Sequence, residues 1–115
     1  MREIVIGGAQ LGAIQKSDRR EAVVARMVAL LSQAANGGCD LVVFPELALT
    51  TFFPRWWMED LDEVETWFEA EMPNAATQPL FDAAKQHGIA ITFGYAESTP
   101  DGHHYNTSIL TDKKG

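Results

Sequence analysis

An α/β fold is predicted from three observations. Two apolar runs without alternation, Ile4-Val5-Ile6 and Leu41-Val42-Val43-Phe44, flank a segment whose apolar residues fall at helical spacing. Glycine pairs, Gly7-Gly8 and Gly37-Gly38, separate that segment from both runs. A second helical segment leads into a third apolar run, Ile89 to Ala96. Strand, helix and strand over about forty residues make one βαβ unit, for which a right-handed crossover is expected.

Taken in order, residues 3–9 read as a buried strand. Asp18-Arg19-Arg20-Glu21 has the form of a capping box, with Asp18 as N-cap and Glu21 reaching back to its N–H. Val24, Met27, Val28, Leu31, Ala34 and Ala35 then give one inward stripe, and Gly37-Gly38 supplies the left-handed residue that ends the helix. Leu41 to Phe44 is continuous in the manner of strands covered on both faces. Residues 45–58 are irregular. Glu59 to Glu71 holds seven acids around Leu61, Val64 and Phe68, which predicts an amphipathic surface helix broken at Met72-Pro73-Asn74. Thr77 is placed to cap a further helix through Leu80, Phe81, Ala83 and Ala84, with Pro79 tolerated in its first turn and Gly88 at its end. Ile89–Ala96 and Tyr105–Leu110 are strands joined by the turn Thr99-Pro100-Asp101-Gly102. Asp112-Lys113-Lys114-Gly115 reads as another turn, so the last strand is expected to lack a neighbour and the domain to continue beyond it.

The 115 residues suffice for one small domain. Nine Lys plus Arg stand against sixteen Asp plus Glu, a formal charge of −7. That balance argues against nucleic acid and against an anionic membrane as partners, both of which require a basic surface. Cys39 has no second cysteine to pair with, which favours a reducing compartment. Neither a signal-peptide core nor an apolar run of ~18 residues is present, and a cytoplasmic location is expected.

Glu46 is the sharpest chemical feature. It follows the end of a predicted strand, where open α/β sheets bind their ligands. Among Phe44, Leu47, Phe52 and Phe53 a carboxylate would be partly desolvated, as suits a general base. The alternative is a carboxylate that caps the turn or pairs with a cation. Cys39 lies at the other end of the same strand, ~13 Å away at ~3.3 Å per residue, and is read as a small, partly buried apolar residue. Arg55 has the chemistry to receive a carboxylate, but pairing with an acid of the neighbouring helix is the plainer reading. Lys113 and Lys114 are read as solvated turn residues, and His103 and His104 as exposed. His87, beside Gly88, suits a helix C-terminus. The three histidines lack zinc-like spacing with each other or with Cys39. Gly7-Gly8-Ala9-Gln10-Leu11-Gly12 has alanine where a dinucleotide fingerprint needs its second glycine. Asn106-Thr107-Ser108 matches the glycosylation triplet, with nothing else to suggest secretion.

The stretch Val43-Phe44-Pro45-Glu46-Leu47-Ala48-Leu49-Thr50-Thr51-Phe52-Phe53-Pro54-Arg55-Trp56 resembles the glutamate motif of the nitrilase superfamily of carbon–nitrogen hydrolases. Within that superfamily it is most similar to the N-carbamoyl-D-amino-acid hydrolases (D-carbamoylases). The similarity runs through the opening strand with Gln10, Glu71-Met72-Pro73, Gly94-Tyr95-Ala96-Glu97 and Asn106-Thr107-Ser108-Ile109-Leu110. It implies an α-β-β-α sandwich, with residues 1–115 as the N-terminal portion of a single hydrolase domain and no separate second domain. It further implies a cysteine nucleophile, a glutamate base and a lysine that steadies the oxyanion. Of these, the glutamate alone maps here, onto Glu46; the lysine and cysteine motifs belong downstream of Gly115. The implied reaction converts an N-carbamoyl-D-amino acid to the D-amino acid, ammonia and carbon dioxide. The implied enzyme is a homo-oligomer, dimer or tetramer, with no metal and no organic cofactor. Two alternatives stay open: another member of the superfamily (an amidase, a nitrilase or a β-ureidopropionase), or a truncated, non-catalytic chain that binds or assembles. The isolated chain is expected to associate through its uncovered sheet.

Overall fold

The computed structural model describes residues 1–115. Its elements are β1 (Ile6–Gly8), α1 (Arg20–Asn36), β2 (Leu41–Val43), a 3-10 turn (Phe53–Arg55), α2 (Leu61–Glu65), α3 (Gln78–His87), β3 (Ala90–Ser98) and β4 (His104–Leu110). The four strands form one sheet in the order β1-β2-β3-β4. β1, β2 and β3 run parallel, with Gly7, Val42 and Ile91 aligned across them. β4 returns antiparallel to β3, placing Gly94 opposite Ser108 and Ala96 opposite Asn106.

Period-2 alternation then sorts the sheet into two faces. Val42, Phe44, Ile91, Phe93 and Tyr95 are buried against Val23, Val24, Met27 and Leu31 of α1 and Leu80, Phe81 and Ala84 of α3. Both long helices therefore lie on that face. The opposite face is open: Val43 is 39% exposed while its neighbour Val42 is fully buried, and Ile4, Ile6 and Leu110 are also exposed. This corrects the expectation of strands covered on both sides. The run Leu41–Phe44 is apolar on two faces, but only one has helices on it. The opening segment is corrected likewise: Ile4 and Val5 lie outside β1 and are exposed.

Helix ends follow local chemistry, with two departures. Gly38, at φ +77, lets Cys39 N–H reach Ala34 O at 3.0 Å and Gly38 N–H reach Ala35 O at 3.1 Å, a Schellman closure of α1. Gly88, at φ +61, closes α3 in the same way through Ile89 N–H to Ala84 O. At the start of α1, however, the N-cap is Arg19 and not Asp18. The Asp18 carboxylate accepts instead from Gln15 N–H at 2.8 Å, so the capping box does not form. At α3 the Thr77 hydroxyl does not cap its own helix; it accepts from Asn74 N–H at 2.8 Å, while Asn74 Oδ1 accepts from Thr77 N–H at 3.0 Å. That reciprocal pair does a capping box's work three residues upstream.

The acidic segment departs furthest. Only Leu61–Glu65 is helical, capped by Asp60, whose carboxylate accepts from Asp62 N–H at 2.9 Å. The chain then turns so that Trp67, stacked on Phe53 at 5.7 Å between ring centres, closes a small second core with Leu47 and Ala96. Glu69 leaves the solvated face altogether. It is buried, bridges to β3 beside Glu97, and accepts from Arg20 Nε at 2.8 Å and Asn74 Nδ2 at 2.9 Å. No helix is long and apolar enough to cross a membrane.

Candidate active site

The segment after β2 crosses over β3 and is tied to it at two points. Phe44 N–H donates to Thr92 O at 2.9 Å and Ala48 N–H donates to Gly94 O at 2.9 Å. Glu46 lies between these ties, directly above Gly94. A β-carbon at Gly94 would lie 3.4 Å from Glu46 Cβ and Cγ, so the stem rests in contact reach of this strand position. Gly94 shares the open sheet face with Thr92 and Val43. Asn106, on the adjacent strand and the same face, donates from Nδ2 to Glu46 Oε1 at 2.9 Å.

Glu46 is exposed, so the desolvation expected for it is absent in this chain. The reason is the open face: of the residues named around it, Phe44, Leu47 and Phe53 are themselves buried, and Phe52 is 54% exposed. It nonetheless stands where three concavities meet. One, of roughly 330 Å³, is mainly apolar and is walled by Phe52, Phe53, Pro54, Phe68, His104 and Tyr105. A second, of roughly 460 Å³, is polar and is lined by Gln15, Thr50, Thr51 and Arg55 on the other side of Phe52. The third runs along the sheet over Val43, Thr92, Gly94 and Ser108.

Arg55 pairs with no acid, contrary to the plainer reading. Its guanidinium stands over the Trp56 ring at 4.5 Å, where cation–π attraction holds it on the wall of the polar cavity. His104 is exposed, as expected, and is also engaged. Its ring stacks on Phe68 at 3.9 Å and its Nε2 meets Glu65. Cys39 is partly buried and free, and borders a different hollow with Gly7, Leu30 and Ala34 that shares no residue with those around Glu46. Lys113 pairs with Asp40, which also accepts from Val5 N–H at 2.9 Å; those two bonds, the lysine's foremost, hold the Asp40 carboxyl below its ordinary range. On the helix side of β3, burial and then the hydrogen bond it donates to Glu97 push the Tyr95 phenol up to about 12.

Sequence reasoning singled out Glu46 but missed Gly94, Phe68 and the part played by Asn106. A signal for Asn106 existed. Once the hairpin turns at Thr99–Gly102, pairing fixes Asn106 opposite Ala96 and hence on the Gly94 face.

A family model described as carbon-nitrogen hydrolase matches residues 5–115. The formamidase of Pseudomonas syringae pv. tomato is 32% identical over 117 residues, spanning 97% of this chain and 32% of that protein. The aliphatic nitrilase of Rhodococcus rhodochrous is 29% identical over 99 residues, 80% of this chain and 27% of the nitrilase. In fold, the crystal structure of an amidase from Nesterenkonia sp. superposes with a TM-score of 0.71 at 21% identity, over 96% of this chain and 39% of the amidase. The chain therefore spans about a third of the length of these curated relatives.

Proposed function

The chain belongs to the carbon–nitrogen hydrolase family, the nitrilase superfamily, and from that premise we propose that Glu46 is the general base of its hydrolytic site. In this reading residues 1–115 are the amino-terminal part of a single hydrolase domain, and the thiol nucleophile and oxyanion lysine come from residues beyond them. A thiol of pKa about 8.5 is mostly protonated at neutral pH, so a placed carboxylate is needed to take its proton. Sulfur then bonds to the carbonyl carbon and ammonia departs with the proton returned from Glu46. Water, deprotonated by the same carboxylate, opens the thioester.

The substrate we propose is an N-carbamoyl-D-amino acid. Opening of its thioester gives a carbamic acid, which loses carbon dioxide to leave the free amino acid. The observation that carries the reading is the seat of Glu46 between an apolar cavity and a polar one that contains Arg55. Such a substrate presents an apolar side chain and a carboxylate on the same carbon, and a guanidinium is suited to the carboxylate. The extended motif from Thr50 to Trp56 supports the same choice. A second reading, an amidase or nitrilase acting on simple amides or nitriles, is favoured by the formamidase and nitrilase relatives. Assembly as a dimer or tetramer belongs to the first proposal.

The test is ammonia release by the full-length protein from N-carbamoyl-D- and L-amino acids, simple amides and nitriles. We expect the D-carbamoyl compounds to be cleaved fastest and Glu46→Gln to lower kcat by roughly 100-fold or more. Faster cleavage of amides or nitriles would move the assignment to the second reading. Full activity in Glu46→Gln would overturn the role of Glu46. The 115-residue chain alone is expected to be inactive.

A further inference from the structure

We propose that Asn106 is a positioning residue for Glu46: its side-chain amide holds one carboxylate oxygen so that the other faces the proton to be transferred. This rests on the reading of Glu46 as the base.

Four observations lead there. Asn106 Nδ2 donates to Glu46 Oε1 at 2.9 Å across 60 residues of sequence. An amide NH₂ group can only donate, so it engages Oε1 as an acceptor and leaves Oε2 as the oxygen free to take a proton. The stem of Glu46 is already seated on Gly94, and the backbone on either side is tied to Thr92 and Gly94. The torsions left free are those of the exposed carboxylate end, and the Asn106 bond restrains them.

The fourth observation is that asparagine is an uncommon choice inside a strand. Asn106 lies within β4, and strands disfavour asparagine relative to threonine, valine or tyrosine. Its side-chain amide makes one hydrogen bond to protein, the one to Glu46. The hydrogen bond to Glu46 is what this residue type adds. The triplet Asn106-Thr107-Ser108 is thereby accounted for without glycosylation: a glycan on Nδ2 would leave it a single N–H and crowd the carboxylate that it holds.

The experiment compares Asn106→Ala, Asn106→Asp, Asn106→Ser and Glu46→Gln in the full-length protein, measuring kcat and KM on the substrate it cleaves, with urea unfolding of each variant. Asn106→Ala should lower kcat roughly 10- to 100-fold, the scale of a misplaced catalytic group. KM should stay within about threefold and the urea midpoint should be unchanged. Asn106→Asp should be worse, because it puts a carboxylate against Glu46. Asn106→Ser, which keeps a donor, should recover part of the loss. In the Glu46→Gln background Asn106→Ala should cost little more, since the two act as a unit. If Glu46→Gln is inactive while Asn106→Ala keeps its kcat, the positioning role is wrong and the base stands. If Asn106→Ala loses kcat only in step with its urea midpoint, the role is structural and the proposal falls. If Glu46→Gln keeps full activity, both readings fall together.

Discussion

The sulfur of Cys39 occupies the space beside Gly7 where a side chain would begin: a β-carbon built on Gly7 lies 2.9 Å from Cys39 Sγ. The edge strand β1 and the start of β2 are packed through that one missing methyl group. Gly7→Ala is therefore expected to destabilise the chain by about 1–3 kcal/mol through overpacking. Cys39→Ala removes the opposing atom, so the double variant should be more stable than Gly7→Ala alone. Urea midpoints of the four members of the cycle measure the coupling.

The contact between Gly94 and Glu46 gives a graded test. Gly94→Ala places a methyl at ordinary van der Waals distance from the Glu46 stem, 3.4 Å, and should be tolerated. Gly94→Val adds two further methyls over the same spot and should displace the glutamate. Turnover by the full-length protein should fall more steeply from Ala to Val than the urea midpoint does.

Arg20 and Glu69 form the most buried ion pair, with side-chain exposures of 22% and 10%. Arg20 also donates to Thr66 O at 2.6 Å and Asn74 donates to Glu69, so the pair pins the loop between α2 and α3 onto α1. Glu69→Ala strands the guanidinium and the amide together. We expect a loss of about 2–3 kcal/mol, below the figure for a fully buried pair because Arg20 retains some contact with water. Chemical denaturation of Glu69→Ala beside the parent chain measures it.

Tyr95 sets an alkaline limit. Its phenol is raised from 10.0 to about 12 in the folded chain by burial and by the hydrogen bond to Glu97. Below about pH 10 folded and unfolded chains both hold the proton, and the contribution is fully present. Between 10 and 12 the unfolded chain releases it first, so stability should decline as pH rises through that window. Urea midpoints from pH 9 to 11.5 should fall more steeply for the parent than for Tyr95→Phe. Ultraviolet titration in a Tyr105→Phe background should show the phenol ionising near 12.

The regular elements were legible because their signals are local. The inward stripe of α1 is set by spacing, and Val24, Met27 and Leu31 are buried as expected. The hairpin of β3 and β4 follows from one turn. Glu46 was legible as a candidate by its motif and its place after a strand. What escaped depends on partners remote in sequence. Nothing within Glu59 to Glu71 announces that Glu69 will meet Arg20, 49 residues earlier. Asp18 was misread as a cap because Gln15 competes for its carboxylate three residues away. Strand burial was overestimated because an apolar run reports what a strand can bury, not how many layers surround it.

Glu46, Gly94 and Asn106 share their side of the sheet with Ile6, Val43 and Leu110, which present their hydrocarbon to water. A surface that covered this whole side of the sheet would shelter those aliphatic groups and the carboxylate together. On the reading of Glu46 as the base, hiding oil from solvent and drying the site would be a single event.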